Sequence, residues 1–367
     1  MKFDSTRINF LKNEKYLFFI SILLILNYGI TPYIFTDILQ VQDNYKYSKE
    51  NLIYSSILIL CLLPFFYFHK FIKSSNILNL TRYNVGLLQL FFCFILFAVS
   101  FYITPWTSDR ESIFASLNAV FKMFWFILVL NNSKNTRLAK YLFVFTIVLM
   151  VIEQSRTYFL LSLFILIINI KHKLTILTIF VVLTSFVALV RSEDFDISLS
   201  NILIYGLKGE AINGSYGVNQ ILSIDSNFNP FQILATFSQF IFTPLNWLFR
   251  GLSLENFIFD SSLINSKLIE DQLNEVYYPL AGFYLLSEFI QYKFIGIILM
   301  VLYLLQVLYI SKKVFDTKYI PTGAILLFIS IKTTPMVFWK TFYALIVIQL
   351  LYLLVFKYLL KNEPGSN

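Results

Sequence analysis

The sequence predicts an all-α polytopic membrane protein of about ten transmembrane helices. We expect both termini in the cytoplasm and one large loop, containing short interfacial helices, on the other side of the membrane. Composition, the length of the apolar runs and the placement of Lys and Arg predict this fold class. Of 367 residues, 57% are hydrophobic and only 14% are charged, whereas a soluble domain has about 25% charged residues. A lipid bilayer removes the need to bury so much apolar surface.

Ten apolar runs approach the length needed to cross a hydrocarbon core of about 30 Å. They lie at residues 16–36, 52–69, 84–104, 113–131, 139–153, 156–170, 174–190, 294–311, 319–338 and 341–360. The fifth and sixth runs are separated by Glu153-Gln-Ser-Arg156, which is too polar to lie in lipid, so we expect a tight turn there. Residues 276–290 are also apolar but include proline, glycine and glutamate. We interpret them as a helix at the outer face that leads into the eighth run.

Lys and Arg are distributed unevenly between the loops. The loops on one side hold seventeen of them, and the short loops on the other side hold or border six. Because cytoplasmic loops have an excess of Lys and Arg, both termini are predicted to be cytoplasmic. Residues 1–190 then form the first seven transmembrane helices, 191–293 the large outer loop, 294–360 the last three helices and 361–367 a cytoplasmic tail. The net charge of +8 forms no continuous stripe, so nucleic acid is not an expected partner.

The large loop, residues 191–293, is the part of the chain in which we expect function. Loops longer than about 15 residues are usually functional or disordered, and this one is too aromatic for disorder. Within it, an apolar stretch, 231–243, is bounded by Pro230 and Pro244. Apolar runs of this intermediate length are typical of re-entrant or interfacial segments.

Several chemistries have no support in the sequence. There is no Walker-type phosphate loop, Gly-rich dinucleotide motif or HExxH motif. The only two histidines, His69 and His172, lie in predicted cytoplasmic loops, and both cysteines lie in apolar runs. We therefore predict no metal site and no cofactor. The predicted spans also contain few charged residues, which disfavours an ion-coupled transporter.

Three outward-facing arginines are the main candidates for chemistry. Arg156 closes the turn between two spans, Arg191 begins the large loop, and Arg250 lies within it before Gly251. A guanidinium group binds phosphate or carboxylate through paired donors, which an ammonium group does not provide. The alternative for each is an interfacial anchor that pairs with a carboxylate or with lipid headgroups. Their shared placement at helix ends favours an anionic ligand at the membrane surface.

Two carboxylates and a tyrosine complete the candidate site. Glu210 and Glu288 lie in apolar or Gly-containing surroundings, where either could act as a general base or bind a sugar hydroxyl. Pairing with a basic residue of the loop is the alternative. Tyr278 could stack on a sugar ring, although interfacial aromatic belts explain it equally well. We assign catalytic roles to Arg156, Arg191 and Glu210, and substrate binding to Arg250, Tyr278 and Glu288.

The chain resembles the Wzy-type O-antigen polymerases, in the O-antigen polymerase/ligase group of GT-C-like membrane glycosyltransferases. The resemblance rests on the ten-span layout, the large late loop and three sequence motifs. These motifs are Glu153-Gln-Ser-Arg156, Arg191-Ser-Glu-Asp-Phe-Asp, and Pro279-Leu-Ala-Gly-Phe-Tyr-Leu-Leu-Ser-Glu288 followed by Phe294-Ile-Gly296. They are loose motifs, and the similarity extends over most of the chain from about residue 85.

The resemblance implies an enzyme of the bacterial inner membrane that takes part in lipopolysaccharide biosynthesis. Its substrates would be oligosaccharide repeat units on undecaprenyl pyrophosphate at the periplasmic face, and it would need no metal or nucleotide sugar. Periplasmic arginines would bind the anionic carrier or glycan, a role that falls on Arg156, Arg191 and Arg250. The surrounding membrane lipids, a chain-length regulator and a flippase would be its partners.

Two alternative functions remain open. An O-antigen ligase resembles the polymerases but is expected to have a histidine in the large periplasmic loop, and this loop has none. A flippase for polysaccharide or lipid-linked oligosaccharide would not need a structured loop of about a hundred residues, which is well beyond the usual loop length.

Overall fold

A computed structural model describes part of the chain, and every element in that part is an α-helix with no strand among the described residues. The described residues are 53, 56, 57, 113–132, 136–153, 162, 163, 165, 166, 220, 221, 230–252, 261–274, 289, 292–315, 326, 329, 330 and 333–360. The all-helical character predicted from the sequence is therefore confirmed for the described ranges.

Six helices have described bounds. They are α1 (Ile113–Asn132), α2 (Thr136–Glu153), α3 (Pro230–Gly251), α4 (Ser261–Leu273), α5 (Lys293–Val314) and α6 (Pro335–Leu360). Helices α1, α2 and α5 coincide with three of the predicted apolar runs and α6 contains the tenth, because long runs of Leu and other helix-forming residues favour a continuous helix. The other predicted runs lie wholly or largely outside the described residues.

The start of α6 differs from the prediction. The predicted ninth run ends at residue 338 and the tenth begins at 341. Helix α6 begins at Pro335, so residues 335–338 belong to α6 and not to the ninth run. Thr334 caps it: the Val337 N–H donates to Thr334 Oγ1 at 3.3 Å. A threonine cap followed by proline at the first helical position is a typical helix start. On the other side of the break, the Thr333 hydroxyl donates to the Ile329 carbonyl at 2.9 Å.

Helix α3 is longer than the apolar stretch that the sequence indicated. Its 22 residues continue through Pro244 instead of ending before it. Pro230 occupies the first helical position, where a missing N–H has no consequence. Pro244 lies in the interior, where proline costs about 3 kcal/mol in an isolated helix. Packing of α3 against its neighbours must offset this cost.

The described chain divides into two compact units. The first comprises Met1–Leu78 and Ser192–Thr341, and the second comprises Asn79–Arg191 and Phe342–Asn367. In the second unit, α1 contacts α2. The indole Nε1 of Trp125 donates to Thr146 Oγ1 at 3.1 Å, and the Thr146 hydroxyl donates in turn to the Leu142 carbonyl. Both side chains are buried, so this chain of hydrogen bonds ties the two helices together within an apolar core.

The first unit contains α3, α4 and α5. Helix α3 contacts α4 and is tied to α5 by one hydrogen bond, from Gln306 Nε2 to the Phe237 carbonyl oxygen at 3.0 Å. The rings of Phe237, Phe289 and Tyr303 form a mutual cluster with centroid separations of 5.9 to 6.2 Å. Edge-to-face and tilted ring pairs at such distances stabilise a packed core.

Exposed side chains on these helices are mostly apolar. On α5 they are Ile295, Ile298, Leu302 and Tyr309. The segment Ile295–Val314 has a mean hydropathy of 2.0 over 20 residues and is the one described helix that is long and apolar enough, by length and composition, to cross a membrane. Helix α4 differs, because its exposed residues include Lys267, Glu270 and Asp271.

Candidate functional site

The structure describes little of the candidate site predicted from the sequence. Arg250 lies in the last turn of α3, one residue before its end. The other predicted site residues lie outside the described residues; they are Arg156, Arg191, Glu210, Tyr278 and Glu288. Their roles remain predictions. Helix α3, which contains Arg250, is a described part of the large loop.

A row of buried polar side chains runs along α3, and we refer to it as the polar face. It consists of Gln232, Thr236, Gln239, Thr243 and Asn246, each at most 2% exposed. Successive members are separated by four, three, four and three residues, so they share one side of the helix. Burying so many hydrogen-bonding groups on one helix is unfavourable unless they have polar partners. Among the described residues, this buried polar row is the main structural indication of a binding site.

The hydroxyl groups of the polar face are used within α3 itself. Thr236 Oγ1 donates to the Gln232 carbonyl at 3.0 Å, and Thr243 Oγ1 donates to the Gln239 carbonyl at 2.7 Å. Such bonds to the preceding turn satisfy a buried hydroxyl without any ligand. The side-chain amides of Gln232, Gln239 and Asn246 can form more hydrogen bonds than a hydroxyl group, because each amide offers two donors and an acceptor oxygen. Amides of this kind match the mixed donor and acceptor character of sugar hydroxyls.

Arg250 is in helical register with the residues of the polar face. It follows Gln232 by 18 residues, which is five turns at about 3.6 residues per turn. The backbone register of α3 therefore places residue 250 on the same side as the buried polar side chains, at the carboxyl end of the helix. A cation is electrostatically favourable at that end.

The polar face is absent from the sequence predictions, although the sequence contains a signal for it. Gln232, Gln239 and Asn246 are each seven residues apart, and so are Thr236 and Thr243. A seven-residue repeat keeps side chains on one helix face. The overall apolar character of the stretch and its two prolines conceal the periodicity of its few polar residues.

The segment before α5 is held in place at Gly296. The Gly296 N–H donates to the Tyr292 carbonyl at 3.2 Å, and the Tyr292 N–H donates to the Phe289 carbonyl at 3.0 Å. A Cβ atom at position 296 would lie 2.8 Å from the carbonyl carbon of Phe289 and closer still to its oxygen. Only glycine permits this approach of two backbone segments. This close contact holds the backbone of Phe289 against α5. Phe289 follows the predicted site residue Glu288 in the sequence.

No metal site can be built from the described residues. Among them, no three His, Cys, Asp or Glu side chains lie together as ligands would. Most of the large loop lies outside those residues, so independence from metal remains a prediction from the sequence.

Comparison with protein-family models, with curated proteins and with solved structures finds no match to this chain. The resemblance to O-antigen polymerases therefore rests on the predicted layout and the sequence motifs.

Proposed function

We propose that the chain is an O-antigen polymerase, a glycosyltransferase that joins lipid-linked oligosaccharide repeat units at the periplasmic face of a bacterial inner membrane. The observation that supports this most directly is the polar face of α3, buried in an otherwise apolar protein and in register with Arg250. Buried amides provide hydrogen bonds for a glycan, and an arginine at the end of the row provides a charge for its pyrophosphate carrier.

The proposed reaction transfers a growing glycan from its undecaprenyl pyrophosphate carrier to the next repeat unit. A hydroxyl of the acceptor sugar attacks the anomeric carbon of the donor and forms the new glycosidic bond. The bond from that carbon to the pyrophosphate oxygen breaks, and the pyrophosphate leaves with increased negative charge. Fixed cationic donors stabilise such charge, which is the proposed role of Arg156 and Arg191, with Arg250 holding the carrier.

The acceptor hydroxyl also loses a proton. A carboxylate within hydrogen-bonding distance of the hydroxyl is a suitable general base, and we assign this role to Glu210. Glu288 and Tyr278 would bind sugar hydroxyls and a sugar face respectively. No nucleotide enters the proposed reaction, because the energy is stored in the pyrophosphate linkage of the donor. Independence from metal is what the resemblance implies.

Deletion of the gene tests the function. The expected result is lipopolysaccharide with a single repeat unit on the lipid core, because transfer to the core still occurs but polymerisation does not. The measurement is an electrophoretic profile of lipopolysaccharide, with the deletion complemented by the intact chain as control. Lipid core without any repeat unit would indicate a ligase instead, and repeat units trapped on the cytoplasmic side would indicate a flippase.

The topology makes a second prediction. A reporter fused after Asn274, which follows the polar helix α4, should show a periplasmic location. The same reporter fused after Phe315, beyond Lys312 and Lys313 at the end of α5, should show a cytoplasmic location, because positive charges are retained on that side. A cytoplasmic signal after Asn274 would contradict the placement of the large loop and of the site within it.

A further inference from the structure

The exposed side of α3 is mostly apolar. Phe231, Leu234, Ile241, Leu245 and Leu248 are exposed, with Phe231 exposed to 78%. Ser238 lies on the same side, half-buried, and its hydroxyl donates to the Leu234 carbonyl at 2.6 Å. The five side chains of the polar face are buried, which is the reverse of the arrangement on a helix at a water-exposed surface. The inverted pattern is typical of a helix that faces hydrocarbon on one side and a polar protein interior on the other.

Helix α4 provides an internal comparison. It belongs to the same predicted loop, begins nine residues after the last described residue of the α3 segment, and contacts α3. Its exposed residues include Lys267, Glu270, Asp271 and Gln272. Two neighbouring helices thus have opposite surfaces, one suited to lipid and the other to water. A single environment does not account for both.

The contact with α5 gives the depth of α3. Gln306, which donates to the Phe237 carbonyl, is the fourteenth of the 22 residues of α5. At about 1.5 Å per residue, it lies about 20 Å from the start of a helix about 33 Å long. The Phe237 ring also contacts Tyr303, three residues nearer the start of α5. Phe237 is therefore level with the middle of α5.

We propose that α3 is inserted into the lipid bilayer beside α5, with its apolar side in contact with hydrocarbon and Phe237 near the depth of the bilayer centre. This inference rests on the membrane location in the proposed function, since it takes α5 as a membrane-spanning helix. It does not depend on the reaction. The proposal makes the prediction of a re-entrant or interfacial segment more specific. It states how deep α3 lies and which side of the helix contacts lipid.

The next contact along the chain gives the direction of α3. The Phe240 ring lies 5.9 Å from that of Trp339, which is four residues after the start of α6 at Pro335. Both α5 and α6 start at the predicted outer face, so Trp339 is nearer that face than Gln306 is. Helix α3 therefore rises from Phe237 towards the outer face, and Arg250 lies about 20 Å further along its axis.

Spin-label accessibility in the full-length protein tests this placement. In a background with Cys61 and Cys93 replaced by alanine, single cysteines are introduced as Leu234→Cys, Ile241→Cys and Leu248→Cys on α3. Lys267→Cys on α4 serves as the aqueous control. Each variant is labelled with a nitroxide in phospholipid vesicles, and its collision rates with oxygen and with a water-soluble nickel complex are measured.

Oxygen collisions should dominate at 234 and 241, decrease at 248 and give way to nickel collisions at 267. Equal depths at 234, 241 and 248 would show a helix lying flat at the interface, and nickel collisions at 234 would show a water-exposed helix. Either result would overturn the proposal. Labelled variants are compared with the parent chain by gel filtration, and Phe231→Cys replaces Leu234→Cys if the latter elutes differently.

The outcome is separable from the function. If the spin labels show a lipid-facing α3 while deletion of the gene leaves polymer length unchanged, that combination would support the placement of α3 and reject the polymerase. A water-exposed α3 in a chain whose deletion abolishes polymer would do the opposite.

Discussion

Replacing Arg250 with alanine is expected to reduce the polymer formed per molecule of protein by about two to three orders of magnitude. The reason is electrostatic: a preorganised cation near a departing pyrophosphate stabilises charge that increases in the transition state. Polymer length and amount are measured by lipopolysaccharide electrophoresis at matched protein abundance. Arg156→Ala and Arg191→Ala are expected to have effects of the same order, because all three arginines are proposed to contact the pyrophosphate carrier or the glycan.

A lysine variant distinguishes a ligand contact from an interfacial anchor. Arg250→Lys keeps the charge but loses the planar pair of donors, so it should restore activity only partly at a forked contact with phosphate. An anchor would behave differently, because lysine reaches the headgroups as well as arginine does. Lys267→Ala, which removes an exposed cation from α4 in the same loop, is the matched control and should retain polymer. Full-length polymer from Arg250→Ala would remove Arg250 from the site.

Substitution of Gly296 is expected to have the largest effect on stability. In Gly296→Ala, the new methyl group would overlap the Phe289 carbonyl, which is backbone and cannot rotate away. Overpacking of this kind typically costs about 1–3 kcal/mol, more than the gain of about 1 kcal/mol in helix propensity. The detergent-solubilised protein should therefore melt at a lower temperature, and Gly296→Val should melt lower still.

Ile298→Ala provides the matched control for this prediction. It lies two residues further along α5 on the exposed side and should leave the melting temperature nearly unchanged. Displacing Phe289 also displaces its neighbour Glu288, so we expect polymer formation to decrease in Gly296→Ala at temperatures where the protein remains folded. An unchanged melting temperature for both Gly296 variants would show that the two segments can separate without loss of packing.

Hydrophobic length and composition predicted the positions of α1, α2 and α5 closely, because long runs of Leu and other helix-forming residues favour a continuous helix. They predicted the start of α6 less well. The break at Thr334 depends on a cap and a proline within a sequence that is apolar on both sides. Helix caps involve one or two residues and contribute little to an average over the window length of a span.

The candidate site was harder to predict, because its chemistry depends on which residues meet across the fold. The spacing of Gln232, Gln239 and Asn246 could have indicated a polar face, but not that it is buried. Burial depends on which other parts of the chain pack against α3. The roles of Arg156 and Arg191 remain predictions that the variants above test. The roles of Glu210, Tyr278 and Glu288 also remain predictions.

The buried polar face of α3 also has a consequence for biogenesis. Helix α3 leaves the ribosome before α5, which is hydrogen-bonded to it through Gln306, and before Trp339, whose ring lies beside that of Phe240. A nascent segment with three amides on one side partitions poorly into lipid while no protein covers that side. We expect α3 to remain at the translocon or the membrane surface until α5 has been inserted. Ribosome-arrested chains ending before α5 should then leave α3 accessible to aqueous reagents, and chains extending beyond α6 should protect it.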